Sequence, residues 1–305
     1  RNDDGYPAVG GGTMSSRTAG IGDRLAGLTD DPGHALAVIA KYGFGFVVCA
    51  WMLFPIYWMV LTSLQSRSTI LDTTPTFLPF DPTLSNYVTV FVENSFLTYL
   101  TNSFIVATAA VTISVVIGVP AAYSLSRMDI PGGHHISFWI LSTRMVPPLS
   151  ILVPLYVFLS GAGLTRSLAG LTITHFLITL PMIIWIVKGF IDELPESMEE
   201  SAMIDGCNRI QAFREVVVPL VTPGIAAAAF ISFIFSWNNF LLALVLTGGN
   251  TKTAPLQIQS SMGYLSIDWG MLGAAGTVTV LPVVVISLAI RNYLVEGLTM
   301  GAVKE

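Results

Sequence analysis

Charge is what this chain has least of. Only 11% of its 305 residues are Asp, Glu, Lys or Arg, against roughly 25% in a soluble domain. That shortage excludes an ordinary water-soluble globule. With 53% hydrophobic residues and a mean hydropathy of +0.70, the composition describes an integral membrane protein. The formal charge of −5 sits in loops and tails and offers no basic surface for nucleic acid. Cysteine is nearly missing as well. Cys49 falls inside a hydrophobic stretch and Cys207 in a polar one, so the two cannot meet, no redox role is needed, and no metal-ligand spacing is present.

The hydrophobic stretches carry no Asp or Glu. Arg144 is the one charge well inside any of them and His175 the one histidine. Ion-driven carriers place ionisable or paired polar groups at mid-membrane, so this pattern argues against one. Arg144 reads as structural, either snorkelling or pairing with a backbone carbonyl, and His175 as a packed, hydrogen-bonded residue rather than a ligand. A phosphate-binding loop is also lacking: it needs Gly, four residues, then Gly-Lys-Ser/Thr, and neither Lys252 nor Lys304 follows a glycine. No Ser/His/Asp set is placed for hydrolysis. The chain reads as non-catalytic, with no cofactor of its own.

What is there is six apolar stretches, near 43–64, 104–125, 138–159, 168–190, 224–246 and 272–294. Each approaches the roughly 20 residues that cross about 30 Å of hydrocarbon as a helix. The third is interrupted by Arg144, Pro147 and Pro148. Isolated strands in lipid would leave backbone groups unpaired, and the alternation of a membrane barrel is absent. Residues 1–31 are rich in Gly, Ser, Thr and Asp and read as a flexible tail, not as a secretory signal.

Orientation follows from the basic residues, because loops rich in Lys and Arg stay in the cytoplasm. With the amino terminus inside, Arg24, Lys41, Arg127, Lys188, Arg209, Arg214, Arg291 and Lys304 lie at that side, while Arg67, Arg166 and Lys252 lie outside. Two long outer loops, 65–100 and 248–270, are large enough to fold as small caps. They are either connections or a docking surface for an extracytoplasmic partner. Prolines 55, 120, 154, 181 and 282 inside the spans favour kinks, and the small residues of 224–229 and 273–276 allow close helix contact.

One polar island stands between two apolar stretches, Leu194 to Pro223. Pro195 suits a first helical turn, Glu196, Glu199 and Glu200 sit near the positive end of that helix, and Gly206 permits a sharp exit. Ile210, Phe213, Val217 and Leu220 recur at helical spacing, and Pro219 and Pro223 follow as punctuation before the next span. The expectation is a short helix, a glycine elbow and a second short helix. Glu200, Ala202, Asp205, Gly206, Phe213, Pro219, Leu220 and Pro223 together resemble the EAA loop of importer permeases in the ATP-binding cassette (ABC) superfamily. Ser201 and Cys207 stand where that family usually has alanine.

Further stretches resemble the carbohydrate, maltose-type branch, and within it the second membrane subunit. These are Arg144–Pro148 with Pro154, Leu155 and Tyr156; Ser236, Trp237, Asn238 and Phe240, with Asn239 where Glu is common; and the tail Gly297, Leu298, Thr299, Gly301, Ala302, Val303 and Lys304. The resemblance implies an all-α membrane protein of six transmembrane helices with a cytoplasmic helix-turn-helix coupling loop. Its parts would be a tail (1–40), a transmembrane domain (41–296) holding the loop (194–223), and a C-terminal tail (297–305). It implies a homologous second permease, two copies of an ATPase that binds ATP and Mg, and an extracytoplasmic sugar-binding protein as partners, within membrane lipid. On that basis Glu200 contacts the ATPase, Gly206 is the elbow, and Ile210, Phe213 and Val217 pack on the bundle. The tail residues Gly301, Ala302 and Lys304 also reach the ATPase, and Trp237, Asn238 and Asn239 either line the solute pathway or serve packing and helix-to-helix contacts. Permeases for a polyol or glycerol phosphate, and an ATP-independent channel or anchoring protein, remain the alternatives.

Overall fold

The computed structural model describes residues 32–74, 76–78, 81–262 and 267–300, and among them no strand occurs. The first helix, α1 (Pro32–Ser63), begins earlier than the hydrophobic stretch predicts. Residues 32–40, expected to belong to the tail, are helical because Pro32 presets a first-turn φ and Ala35-Leu36-Ala37 are strong helix formers. Contacts divide the chain at Tyr57 and Trp58 into two compact units. In the first, residues 36–57 of α1 expose apolar side chains such as Phe44, Phe46 and Trp51.

The second unit holds the remaining spans. Single helical turns at Arg67–Ile70 and Ser85–Val88 lead through a π-turn (Thr89–Glu93) into α2 (Phe96–Arg127). There follow α3 (Gly133–Ser142), α4 (Pro148–Gly161), α5 (Leu168–Asp192) and α6 (Ser197–Ile204). α7 covers Arg209–Trp237, with α8 (Leu241–Leu246), α9 (Ala254–Ser260) and α10 (Trp269–Met300) completing the order. Among the described residues five helices, α1, α2, α5, α7 and α10, are long and apolar enough to cross a membrane, and the count is six if the bent pair α3 and α4 is one broken span.

The third span is therefore not the straight helix expected over 138–159. It breaks at Thr143–Pro147 and turns through 96°. Pro147 and Pro148 explain this: neither donates a backbone hydrogen bond, and the residue before a proline is driven into extended backbone, as at Val146 (ψ 125°).

The fifth span also departs from its expected limits of 224–246. α7 ends at Trp237, and Leu241–Leu246 is a separate short helix. Nor does the polar island have a free-standing second helix. That helix runs unbroken into the span, because the turn at Phe213–Val217 widens to π geometry. The Val218 N–H reaches back to the Phe213 carbonyl, which makes room just where the Pro219 ring would crowd a regular helix.

Packing centres on α2, α5 and α7. Small residues of α2, Ala107, Ala110, Ser114, Gly118 and Ala122, are buried along one face. They let Ile183 and Val187 of α5 approach closely, and a Cβ on Gly118 would lie 3.0 Å from Ile183 Cγ2. This is the close packing that substitutes for hydrophobic drive in lipid. A second cluster joins Leu152 and Leu159 of α4, Leu171 of α5, and Leu242 and Leu246 of α8. A third ties Val90 and Phe96 to Ala274, Ala275 and Val278 of α10.

Side-chain amides hold the two long connections to the helices. Asn86 Nδ2 donates to the carbonyls of Ser63 and Gln65, 2.9 Å each. Asn102 Nδ2 donates to those of Asn250 (2.7 Å) and Lys252 (2.9 Å).

Gly273 generates a test. A Cβ there would sit 2.9 Å from the Met59 carbonyl and 3.0 Å from the Ser63 nitrogen, both backbone atoms. Gly273→Leu should therefore cost about 1–3 kcal/mol by overpacking and lower the melting temperature of the detergent-purified protein. An unchanged melt would contradict this backbone approach.

Candidate functional site

The polar island folds as a seated elbow. α6 stops where Gly206 takes φ +99°, a left-handed conformation that glycine adopts without penalty. The Cys207 N–H bonds to the Ala202 carbonyl (3.0 Å) and the Gly206 N–H to that of Met203 (3.1 Å), the paired bonds of a glycine C-cap. α7 then starts on a capping box. Asn208 Oδ1 accepts from the Gln211 N–H at 2.9 Å, and Gln211 Oε1 accepts from the Asn208 N–H at 2.8 Å. Stop and start signals thus sit two residues apart, which makes the elbow a defined angle.

Its inner side is anchored by charge. Glu199 is 6% exposed and accepts from Arg127 Nε at 2.6 Å and from the Tyr123 hydroxyl at 2.8 Å. Arg127 Nη2 donates to the carbonyls of Ile191 and Leu194, both 2.8 Å. Beside this cluster the Tyr123 and Phe213 rings lie 4.7 Å apart, and Ala212, Val217 and Val221 are buried. The outer side is a rim of exposed residues: Glu200, Asp205 and Gly206, with Ile204 at 85% and Ile210 at 70% exposure.

A second group surrounds the breaks in the third and fifth spans. Arg144 Nη1 donates to the Ile178 carbonyl (2.9 Å), and its guanidinium lies 5.5 Å from the centre of the Phe235 ring. A cavity of about 370 Å³ adjoins Pro148, Phe235, Asn238, Asn239 and Phe240. Deeper in, His175 Nδ1 pairs with Ser236 Oγ (2.6 Å) and Ser114 with Thr179 (2.7 Å), joining α5 to α7 and α2.

Comparison with known proteins fits this architecture. Residues 114–299 match the family described as binding-protein-dependent transport system inner membrane component. The chain belongs to that family. It is similar to the diacetylchitobiose uptake system permease protein DasC of Streptomyces coelicolor, 33% identical over 83% of this chain and 92% of that one. It is also similar to the trehalose/maltose transport system permease protein MalG of Thermococcus litoralis, 32% identical over 85% and 92%. A bacterial ABC transporter involved in import of the acidic polysaccharide alginate shares the fold, with a TM-score of 0.72 at 23% identity over 87% of this chain and 98% of that one. This protein is thus a membrane-spanning permease subunit of an ABC importer.

The permease places its expected loop residues unevenly. Glu200, Asp205 and Gly206 are on the exposed rim, Pro219 is exposed near the π-turn, and Ala202 and Phe213 are half-buried. The face expected to pack on the bundle is corrected at Ile210, which is exposed, as is Leu220 of the same periodic stripe. The π-turn adds a residue between Ile210 and Val217, rotating the earlier residues by about 100°, so Ala212 takes the inward place.

Trp237 is 2% exposed and stacked on Phe233 at 5.5 Å. Asn238 donates to the Ile234 carbonyl (3.0 Å), and Asn239 caps α8 by accepting from the Leu242 N–H (3.1 Å). Arg144 pairs with a backbone carbonyl, that of Ile178. Gly301, Ala302 and Lys304 lie outside the described residues.

Sequence reasoning missed Asn208 and Gln211, although Asn-x-x-Gln is a legible capping signal. It also missed Arg127, Tyr123 and Glu199, whose meeting depends on the fold.

Trp237 and Asn238 make contrasting predictions. Trp237→Ala should lose about 3–5 kcal/mol through the cavity it leaves, while Asn238→Ala should change stability by under about 0.5 kcal/mol. Thermal melts of the two purified variants would separate them, and coincident curves would contradict the packing role of Trp237.

Proposed function

We propose that the elbow of this permease is the surface on which a separate ATPase subunit acts, and that the chain forms half of a translocation pathway for a sugar or oligosaccharide. One observation carries the reading: a short helix and the head of a long one meet at a fixed angle, with their inner faces buried and an acidic and apolar rim left open. Glu200 and Asp205 present charge to a basic partner, while Ile204 and Ile210 present apolar area that would gain by being covered. ATP and Mg belong to that partner, and nothing in this chain is required to hydrolyse them.

The proposed assembly is a homologous second permease beside this one, two ATPase copies at the cytoplasmic face, and an extracytoplasmic binding protein that delivers the solute. The names of the relatives, diacetylchitobiose uptake and trehalose/maltose transport, support carbohydrate as the substrate class. The basic residues support a multi-pass plasma-membrane orientation with both termini and the elbow cytoplasmic.

Gly206 offers the direct test. A Cβ there meets nothing within 4 Å, so bulk within the chain is no obstacle, although an L-residue in left-handed backbone costs about 1–2 kcal/mol. Gly206→Asp should reduce solute uptake by vesicles at least tenfold (about 1.4 kcal/mol or more in the coupled step) while the subunit still inserts. Normal uptake by this variant would remove the role given to the elbow.

A further inference from the structure

α6 is eight residues long, and its one buried residue is a carboxylate, Glu199. A helix on a bundle surface is ordinarily held by an apolar stripe. Here the grip is ionic instead. The Arg127–Glu199 pair is almost wholly enclosed, with both side chains 8% exposed, and enclosure makes such a pair costly unless its remaining hydrogen-bonding groups are satisfied. They are satisfied in an informative way. Arg127 is the last residue of α2. Its Nη2 takes the carbonyls of Ile191 and Leu194 at the end of α5, its Nη1 reaches Ser126 Oγ (3.3 Å), and its Nε takes Glu199. The second carboxylate oxygen of Glu199 accepts from Tyr123, one turn earlier on α2. One guanidinium therefore ties three elements: the end of α2, the end of α5, and α6.

We propose that Arg127 is a positioning residue for force transfer, locking α6 through Glu199 to the ends of α2 and α5 so that displacement of the elbow is delivered to both spans together. This rests on the coupling role given to the elbow above. An apolar contact is non-directional and lets surfaces slide, whereas a planar fork with fixed donor directions holds angle as well as distance. α7 is joined to the elbow by its own backbone. α2 and α5 would follow the same displacement through this side-chain junction, which bypasses the chain between Asp192 and Ser197.

The test uses the whole transporter in lipid vesicles, with its ATPase and binding protein, and reads ATPase capture and solute moved per ATP hydrolysed. Arg127→Met keeps the aliphatic stem and removes the fork. Glu199→Gln keeps the shape and removes the charge. Both should still capture the ATPase, while solute per ATP falls tenfold or more. Arg127→Lys, a point charge without the fork, and Tyr123→Phe, which removes one hydrogen bond and keeps the ring on Phe213, should each lower the ratio about threefold.

These two milder variants decide the matter if the stronger ones fail to assemble, since a merely structural junction would leave the ratio unchanged in every complex that forms. A wild-type ratio in assembled Arg127→Met, or in both milder variants, overturns the proposal. If Gly206→Asp loses transport while the Arg127 series does not, only the junction is wrong. Normal transport in Gly206→Asp removes the elbow itself.

Discussion

Hydrocarbon offers no partner to a backbone N–H or C=O, so each one inside the membrane must be satisfied by the protein. Long helices meet that demand by themselves. Where a helix of this permease stops or changes direction, a polar side chain stands at the break. Arg144 serves the bend between α3 and α4 through the Ile178 carbonyl, and Asn239 takes the Leu242 N–H in the first turn of α8. Asn102 gathers the carbonyls of Asn250 and Lys252, and Arg127 gathers those at the end of α5. At these breaks the side chains satisfy backbone groups that would be costly to bury unpaired.

Between those points the helices are held by shape. The buried small residues of α2 accept α5, and Gly273 of α10 accepts the backbone at Met59 and Ser63. Interhelical hydrogen bonds, Ser114 to Thr179 and His175 to Ser236, add register along the same seams.

Much of this was legible in the residues. The helical class, the approximate spans and the importer loop follow from composition, from runs of about 20 apolar residues, and from the order of Glu200, Ala202, Asp205, Gly206 and Pro219. Interruption of the third span was also visible in Arg144, Pro147 and Pro148, though not the 96° angle, which is set by what the two halves pack against. The continuity of α7 was hidden because prolines 219 and 223 normally signal a boundary. A local widening to π geometry absorbed the first of them, and no residue pattern marks that reliably. The resemblance singled out Glu200, and the inward role of Glu199 stayed hidden because α6 has no apolar stripe to show which face turns inward. Which of two adjacent acids is buried is decided by Arg127, some seventy positions away and invisible to local periodicity.

The unbroken run from Arg209 to Trp237 has a geometric outcome. Twenty-nine residues of helix make a rod of about 44 Å at 1.5 Å per residue. Rocked about its elbow end by about 5°, such a rod swings its far tip by about 4 Å, comparable to the width of a hydroxyl-bearing carbon. Asn238, Asn239 and the adjoining cavity lie at that tip, so a displacement at the elbow end would reach them through the helix itself.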